Sequence, residues 1–130
     1  MLTDGSAPLP HPDGQSLVFL RRGQVWSLDL KPDSQPRQMF QIRGSAGSPA
    51  WSPDGSQLAF VSHRGDHSFI GVFDRQTRNI RYFLPSVDLD QSPVWSADGK
   101  RLAFIREPHE KGILLFIPKR TALPWSVMVA

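Results

Sequence analysis

Ser48-Pro49-Ala50-Trp51-Ser52-Pro53-Asp54-Gly55 recurs 44 residues downstream as Ser92-Pro93-Val94-Trp95-Ser96-Ala97-Asp98-Gly99. A looser copy lies 41 residues upstream, Ala7-Pro8-Leu9-Pro10-His11-Pro12-Asp13-Gly14. The same kind of apolar run follows each copy: Leu17-Val18-Phe19-Leu20, Leu58-Ala59-Phe60-Val61 and Leu102-Ala103-Phe104-Ile105. Asp13, Gly14, Trp51, Asp54, Gly55, Trp95, Asp98 and Gly99 therefore define a structural repeat. Asp-Gly supplies a tight turn, because Gly takes positive φ freely and Asp bonds its own backbone. The run after the turn is apolar without alternation, which suits a strand covered on both faces. Trp51 and Trp95, three residues before each turn, are placed to pack on a neighbouring sheet.

Two more strands complete each unit. Val25–Leu30 and Phe69–Asp74 read as third strands, and Arg37–Ile42 and Ile80–Leu84 as fourth strands. Four short strands per repeat of this length is the pattern of a β-propeller blade. The expected fold is all-β: a partial β-propeller with two complete four-stranded blades and an incomplete third. Blade 1 spans about 7–43, blade 2 about 48–85, and the partial blade 3 about 92–130 with an insertion at 106–124. Trp125-Ser126-Val127-Met128 aligns with Trp26-Ser27-Leu28-Asp29, so a third strand is expected at the end of the chain. Gly44-Ser45-Ala46-Gly47-Ser48 reads as a flexible connector between blades.

Composition removes several function classes. The 130 residues include 12 prolines, 10 glycines and no cysteine. That excludes a disulfide framework, a thiolate metal site and a cysteine nucleophile, and argues against a helix bundle. No apolar run approaches membrane-spanning length. The net charge of +3 is scattered at strand ends, so neither nucleic acid nor membrane is an expected partner. The N-terminus has no signal-peptide pattern, and zero cysteine is compatible with any compartment.

At Trp-Ser-Pro-Asp-Gly followed by Leu-Ala-Phe, the sequence resembles the WD-like repeat of the TolB type. That repeat also builds the N-terminal propellers of the prolyl oligopeptidase family of serine peptidases. His63-Arg64-Gly65-Asp66-His67-Ser68, Pro85-Ser86-Val87-Asp88-Leu89-Asp90 and the insertion before Pro124-Trp125-Ser126 are similar to dipeptidyl-peptidase-like and acylaminoacyl-peptidase-like propellers. The resemblance implies a propeller that narrows access to an α/β-hydrolase domain and helps to position peptide. Such a domain carries its serine on a Gly-x-Ser-x-Gly elbow, which does not occur here. No catalytic residue, cofactor or metal site is therefore assigned to this chain. The implied partners are the rest of the propeller, a hydrolase domain and a peptide substrate. The alternative is a TolB-like protein-binding propeller.

A few side chains stand out as candidates. Asp88 and Asp90 are paired acids, read as part of an inter-blade loop, that either bind a cation or substrate amine or are simply solvated. Phe116 lies in the apolar run of the insertion and either reaches a partner or packs on its own blade. His63, Asp66 and His67 fall in a loop, where the four-residue spacing of the histidines has no helical meaning. Blades need neighbours on both faces, so this chain is expected to self-associate through bare terminal faces and an unpaired C-terminal edge.

Overall fold

The structure is a computed structural model that describes residues 4–108 and 126–130. The described residues form eleven strands and no helix. Blade 1 is a four-stranded antiparallel sheet of β1 (Ser6–Pro10), β2 (Ser16–Arg21), β3 (Gln24–Asp29) and β4 (Arg37–Phe40). Blade 2 repeats it with β5 (Ser45–Trp51), β6 (Gln57–His63), β7 (Ser68–Asp74) and β8 (Ile80–Phe83). β9 (Leu89–Trp95), β10 (Leu102–Glu107) and β11 (Ser126–Val129) form a third antiparallel unit. A single parallel bridge, Ser68 to Leu89, joins blade 2 to that unit.

The sequence run Leu58–Val61 explains the layering. Leu58 and Phe60 point toward blade 1 and join Val18, Val25, Phe40, Ile42, Ala46 and Phe73 in one buried cluster. Ala59 and Val61 point the other way, packing with Ile70, Val72, Leu102 and Phe104. Both faces of β6 are thus covered, as its unbroken apolar pattern requires. The rings of Phe40 and Phe73 stack across the first interface with centroids 4.5 Å apart.

Two local features depart from expectation. Gly44–Ser48 is not a flexible connector: Ser45–Trp51 is β5, Ala46 is buried, and its N–H donates to the Gly23 carbonyl at 2.8 Å. The stretch is glycine-rich because neighbours crowd it. The His63 ring lies against Gly47 where a Cβ would stand. The second feature is a bulge in the first strand of each unit, where the register slips between Ser6 and Leu9, between Gly47 and Ala50, and between Val94 and Gln91. The residue before proline has positive φ each time: Ala7 at 52°, Ser48 at 46° and Ser92 at 57°. An extra residue in one strand bends and twists it locally, and proline suits such a site because it has no N–H to pair.

Antiparallel alternation sorts the loops onto two ends. One end carries the Asp-Gly turns and the links between third and fourth strands. The opposite end carries the β2–β3 and β6–β7 loops and the connections from one blade to the next.

Candidate functional site

At the first end, one hydrogen-bond pattern is built three times. Gly14, Gly55 and Gly99 have φ of 72°, 73° and 72°. Their N–H groups donate to the carbonyls of His11, Ser52 and Ser96 at 2.8, 2.8 and 2.9 Å. In blade 2, Ser52 Oγ donates to Asp54 Oδ1 at 2.8 Å and accepts from the Gln57 N–H at 3.0 Å. In the third unit, Ser96 Oγ donates to Asp98 Oδ1 at 2.6 Å and accepts from the Arg101 N–H at 3.0 Å. Asp54 is held at a pKa of about 2, chiefly by the Ser56 backbone N–H and then by the Ser56 and Ser52 hydroxyls. Asp13 and Asp98 are also lowered, the first chiefly by the Gln15 N–H and the second by the Ser96 hydroxyl.

Blade 1 has His11 where the other turns have serine, and that ring spans the blade 1–blade 2 junction. Its Nδ1 lies 2.9 Å from Asp13 Oδ1. Its Nε2 lies 2.6 Å from an Arg75 guanidinium nitrogen and 2.9 Å from the Gly55 carbonyl. A proton on Nδ1 directed at Asp13 Oδ1 leaves Nε2 to accept from Arg75, whereas a proton on Nε2 goes to the Gly55 carbonyl and leaves Nδ1 to accept from the Asp13 N–H at 3.1 Å. The His11 ring meets Trp51 edge-on at 4.7 Å, and the Arg75 guanidinium lies over the same indole at 5.6 Å. At the next junction Trp95 Nε1 donates to the Ala50 carbonyl at 2.9 Å. The repeat-defining residues thus build turns and fasten blades. A groove of about 340 Å³ beside them includes Arg37, Arg75 and Arg78. Arg78 is spent on the Met39 carbonyl and Arg75 on His11.

Asp88 and Asp90 do not form a shared acidic pair in a solvated loop. Asp90 lies in β9 and its side chain is 0% exposed. Arg106, opposite it in β10, donates from Nε to Oδ1 at 2.7 Å and from a terminal nitrogen to Oδ2 at 2.8 Å. The same guanidinium reaches the Leu84 carbonyl at 2.6 Å. The hydrogen bond with Asp90 raises the Arg106 pKa further above its ordinary range. The Ser68 hydroxyl donates to the Asp90 carbonyl at 2.7 Å. Asp88 is half-buried, and its N–H donates to Ser86 Oγ at 3.1 Å. Phe116 lies outside the described residues, as does most of the 106–124 insertion.

At the opposite end, Arg43, Gly44, His63, Arg64, Gly65 and His67 enclose a cleft of about 420 Å³. Arg64 is fixed in place, with Nε donating to the buried Ser62 hydroxyl at 2.9 Å. Its guanidinium lies 4.8 Å from the Phe69 ring and 5.7 Å from that of Tyr82. His67 Nδ1 lies 2.8 Å from Asp66 Oδ1. Of these residues, the sequence alone singled out only the His63–Ser68 stretch. Arg43 and Arg106 drew no notice, although counting back from the Asp98-Gly99 turn through the bulge places Arg106 opposite Asp90.

No family model matches the chain. It is 34% identical over 56 residues to tricorn protease homolog 2 of Streptomyces coelicolor, a match covering 43% of this chain and 5% of that protein. The solved tricorn protease superimposes with a TM-score of 0.71 and 20% identity over 96% of this chain and 13% of that one. A TolB-type protein of Agrobacterium tumefaciens gives 0.70 and 21% over 98% of this chain and 46% of that one. Acylaminoacyl peptidase of Pyrococcus horikoshii gives 0.55 and 19% over 82% of this chain and 18% of its own. The chain thus spans less than half the length of each. Its fold is the β-propeller fold shared by TolB-like proteins and the propeller domains of these peptidases.

Proposed function

We propose that the chain is a non-catalytic propeller segment of a serine peptidase, gating and positioning peptides for a hydrolase domain elsewhere in the same protein. The 56-residue match carries this reading, since that relative is itself described as a homolog of tricorn protease. The residues fit a supporting role. The turn carboxylates, His11, Arg75, Asp90 and Arg106 are all engaged within or between blades. The repeat-defining side chains hold the blades together and leave loop ends to meet substrate.

The test uses the whole gene product that contains this segment. Turnover of peptides of graded length is measured with and without a serine-directed inhibitor. Inhibitor-sensitive turnover that falls with peptide bulk is expected. Trp95→Ala, which loosens the blade 2–blade 3 junction, should admit bulkier peptides. Absence of inhibitor-sensitive turnover sinks the peptidase reading. It would favour the second one, a protein-binding propeller, which the TolB likeness supports.

A further inference from the structure

We propose that the cleft between the β4–β5 connection and the β6–β7 loop is a binding site for an oxyanion, a carboxylate or phosphate group, held by Arg64 and Arg43 with His63 and His67 beside them.

The first argument is how Arg64 is held. Its Nε is anchored on Ser62, which is 0% exposed, and its Cζ lies 4.8 Å from the Phe69 ring and 5.7 Å from the Tyr82 ring. One terminal nitrogen lies 3.5 Å from the Tyr82 hydroxyl, and the other has no hydrogen-bond partner among the described residues. A guanidinium held by two aromatic contacts and one part-buried hydrogen bond has already lost much of its rotamer freedom. It presents a planar fork suited to two oxygens of one ligand.

The second argument is charge. Arg106 has Asp90 and Arg21 has Asp4 at 3.1 Å. No carboxylate pairs with Arg64 or Arg43 among the described residues. Asp66 at the cleft edge is turned to the His67 ring instead. Two arginines line this one cleft, and a bound anion would offset the like charge they bring to it.

The third argument is that the repeat does not require this arrangement. In blade 1 the equivalent hairpin closes with two residues, Arg22 and Gly23, both at positive φ. In blade 2 the loop has four, Arg64 to His67. Gly44, at φ 76°, lets the connection press directly on the His63 carbonyl and brings Arg43 to the cleft. Arg64, Gly65 and His67 of this longer loop line the cavity.

Titration calorimetry of the 130-residue chain with inorganic phosphate and with glutarate, at ionic strength matched with chloride, tests this directly. Saturable binding of at least one ion is expected, and the tighter of the two identifies the oxyanion class. Arg64→Gln and Arg43→Gln should each weaken it by on the order of tenfold. Arg64→Lys should not restore it, because an ammonium cannot offer the fork. Arg43 is exposed and makes no hydrogen bond or ion pair among the described residues, so Arg43→Gln should keep the thermal midpoint of the parent. The proposal is overturned if neither ion binds above the chloride background, or if both glutamine variants bind as tightly as the parent chain. The outcome is independent of whether the parent protein cleaves peptides.

Discussion

Asp54 is exposed to solvent, yet three donors converge on its Oδ1: the Ser52 hydroxyl, the Ser56 hydroxyl and the Ser56 N–H. All three favour the ionised form, so the carboxylate titrates near 2 in the fold instead of near its ordinary 3.8. Asp13, Asp74 and Asp98 are lowered by the same kind of contact. A depressed native pKa means the stabilisation is complete above the unfolded value and disappears as pH falls through the native one. Thermal midpoints should therefore hold steady down to pH of about 4 and then fall steeply toward about 2. Asp54→Asn should flatten part of that fall, and an unchanged acid limb would count against the turn network. The turn glycines also differ in what surrounds them. Gly14 and Gly55 share the same positive φ, but a Cβ at Gly14 meets nothing within 4 Å. One at Gly55 collides with the His11 ring. Gly14→Ala should lose only the left-handed cost of about 1–2 kcal/mol. Urea unfolding of Gly55→Ala should show a clearly larger loss, because the buried His11 must also move.

At the scale of elements, the Asp90–Arg106 pair fastens the third unit to blade 2 through Leu84 and Ser68. The equivalent register position holds Ala46 and Ser62 in blade 2, both buried, without any charge. The repeat therefore offers its own neutral replacement. Removing one partner leaves an unpaired buried charge, so Asp90→Ala should cost about 3–5 kcal/mol. The double variant Asp90→Ala/Arg106→Ser should cost less than Asp90→Ala alone, as measured by a denaturant double-mutant cycle. Equal losses would mean that the charge pairing itself is immaterial. The strands were legible in the sequence because an apolar run between Asp-Gly turns has few alternatives. The bulges were not, although the Ser-Pro and Ala-Pro dipeptides that accompany them were in view. Proline marks a place where a ladder bond is missing, but not whether the strand ends or bends there.

For the molecule as a whole, stability is shared between blade interfaces instead of lying in one central core. β6 and β7 are covered on both faces, whereas β1 is mostly exposed. Native-state hydrogen exchange should find the slowest amides in β6 and β7 and the fastest in β1 and β4. Uniform protection would show that the blades open as one unit. Phe60 is 0% exposed and packs between blades, so Phe60→Ala should cost about 3–5 kcal/mol. That loss should also quicken exchange in blade 1, which shares the interface. The third unit ends in a different setting. Val94, Val127 and Val129 are exposed on the face turned away from blade 2. In the two observed interfaces the equivalent face is covered by the next blade.

The sequence by itself determined the propeller repeat, the turn residues and the two-sided burial of β6. Each of these is a local property, set by φ preference and by the order of apolar residues along a few positions. Tertiary structure alone decided that Asp90 meets Arg106, that His11 bridges to Arg75 across 64 positions, and that Arg43 and Arg64 line one cleft. These partners belong to different strands or blades. Their meeting depends on sheet register and blade stacking, which short-range pattern does not encode.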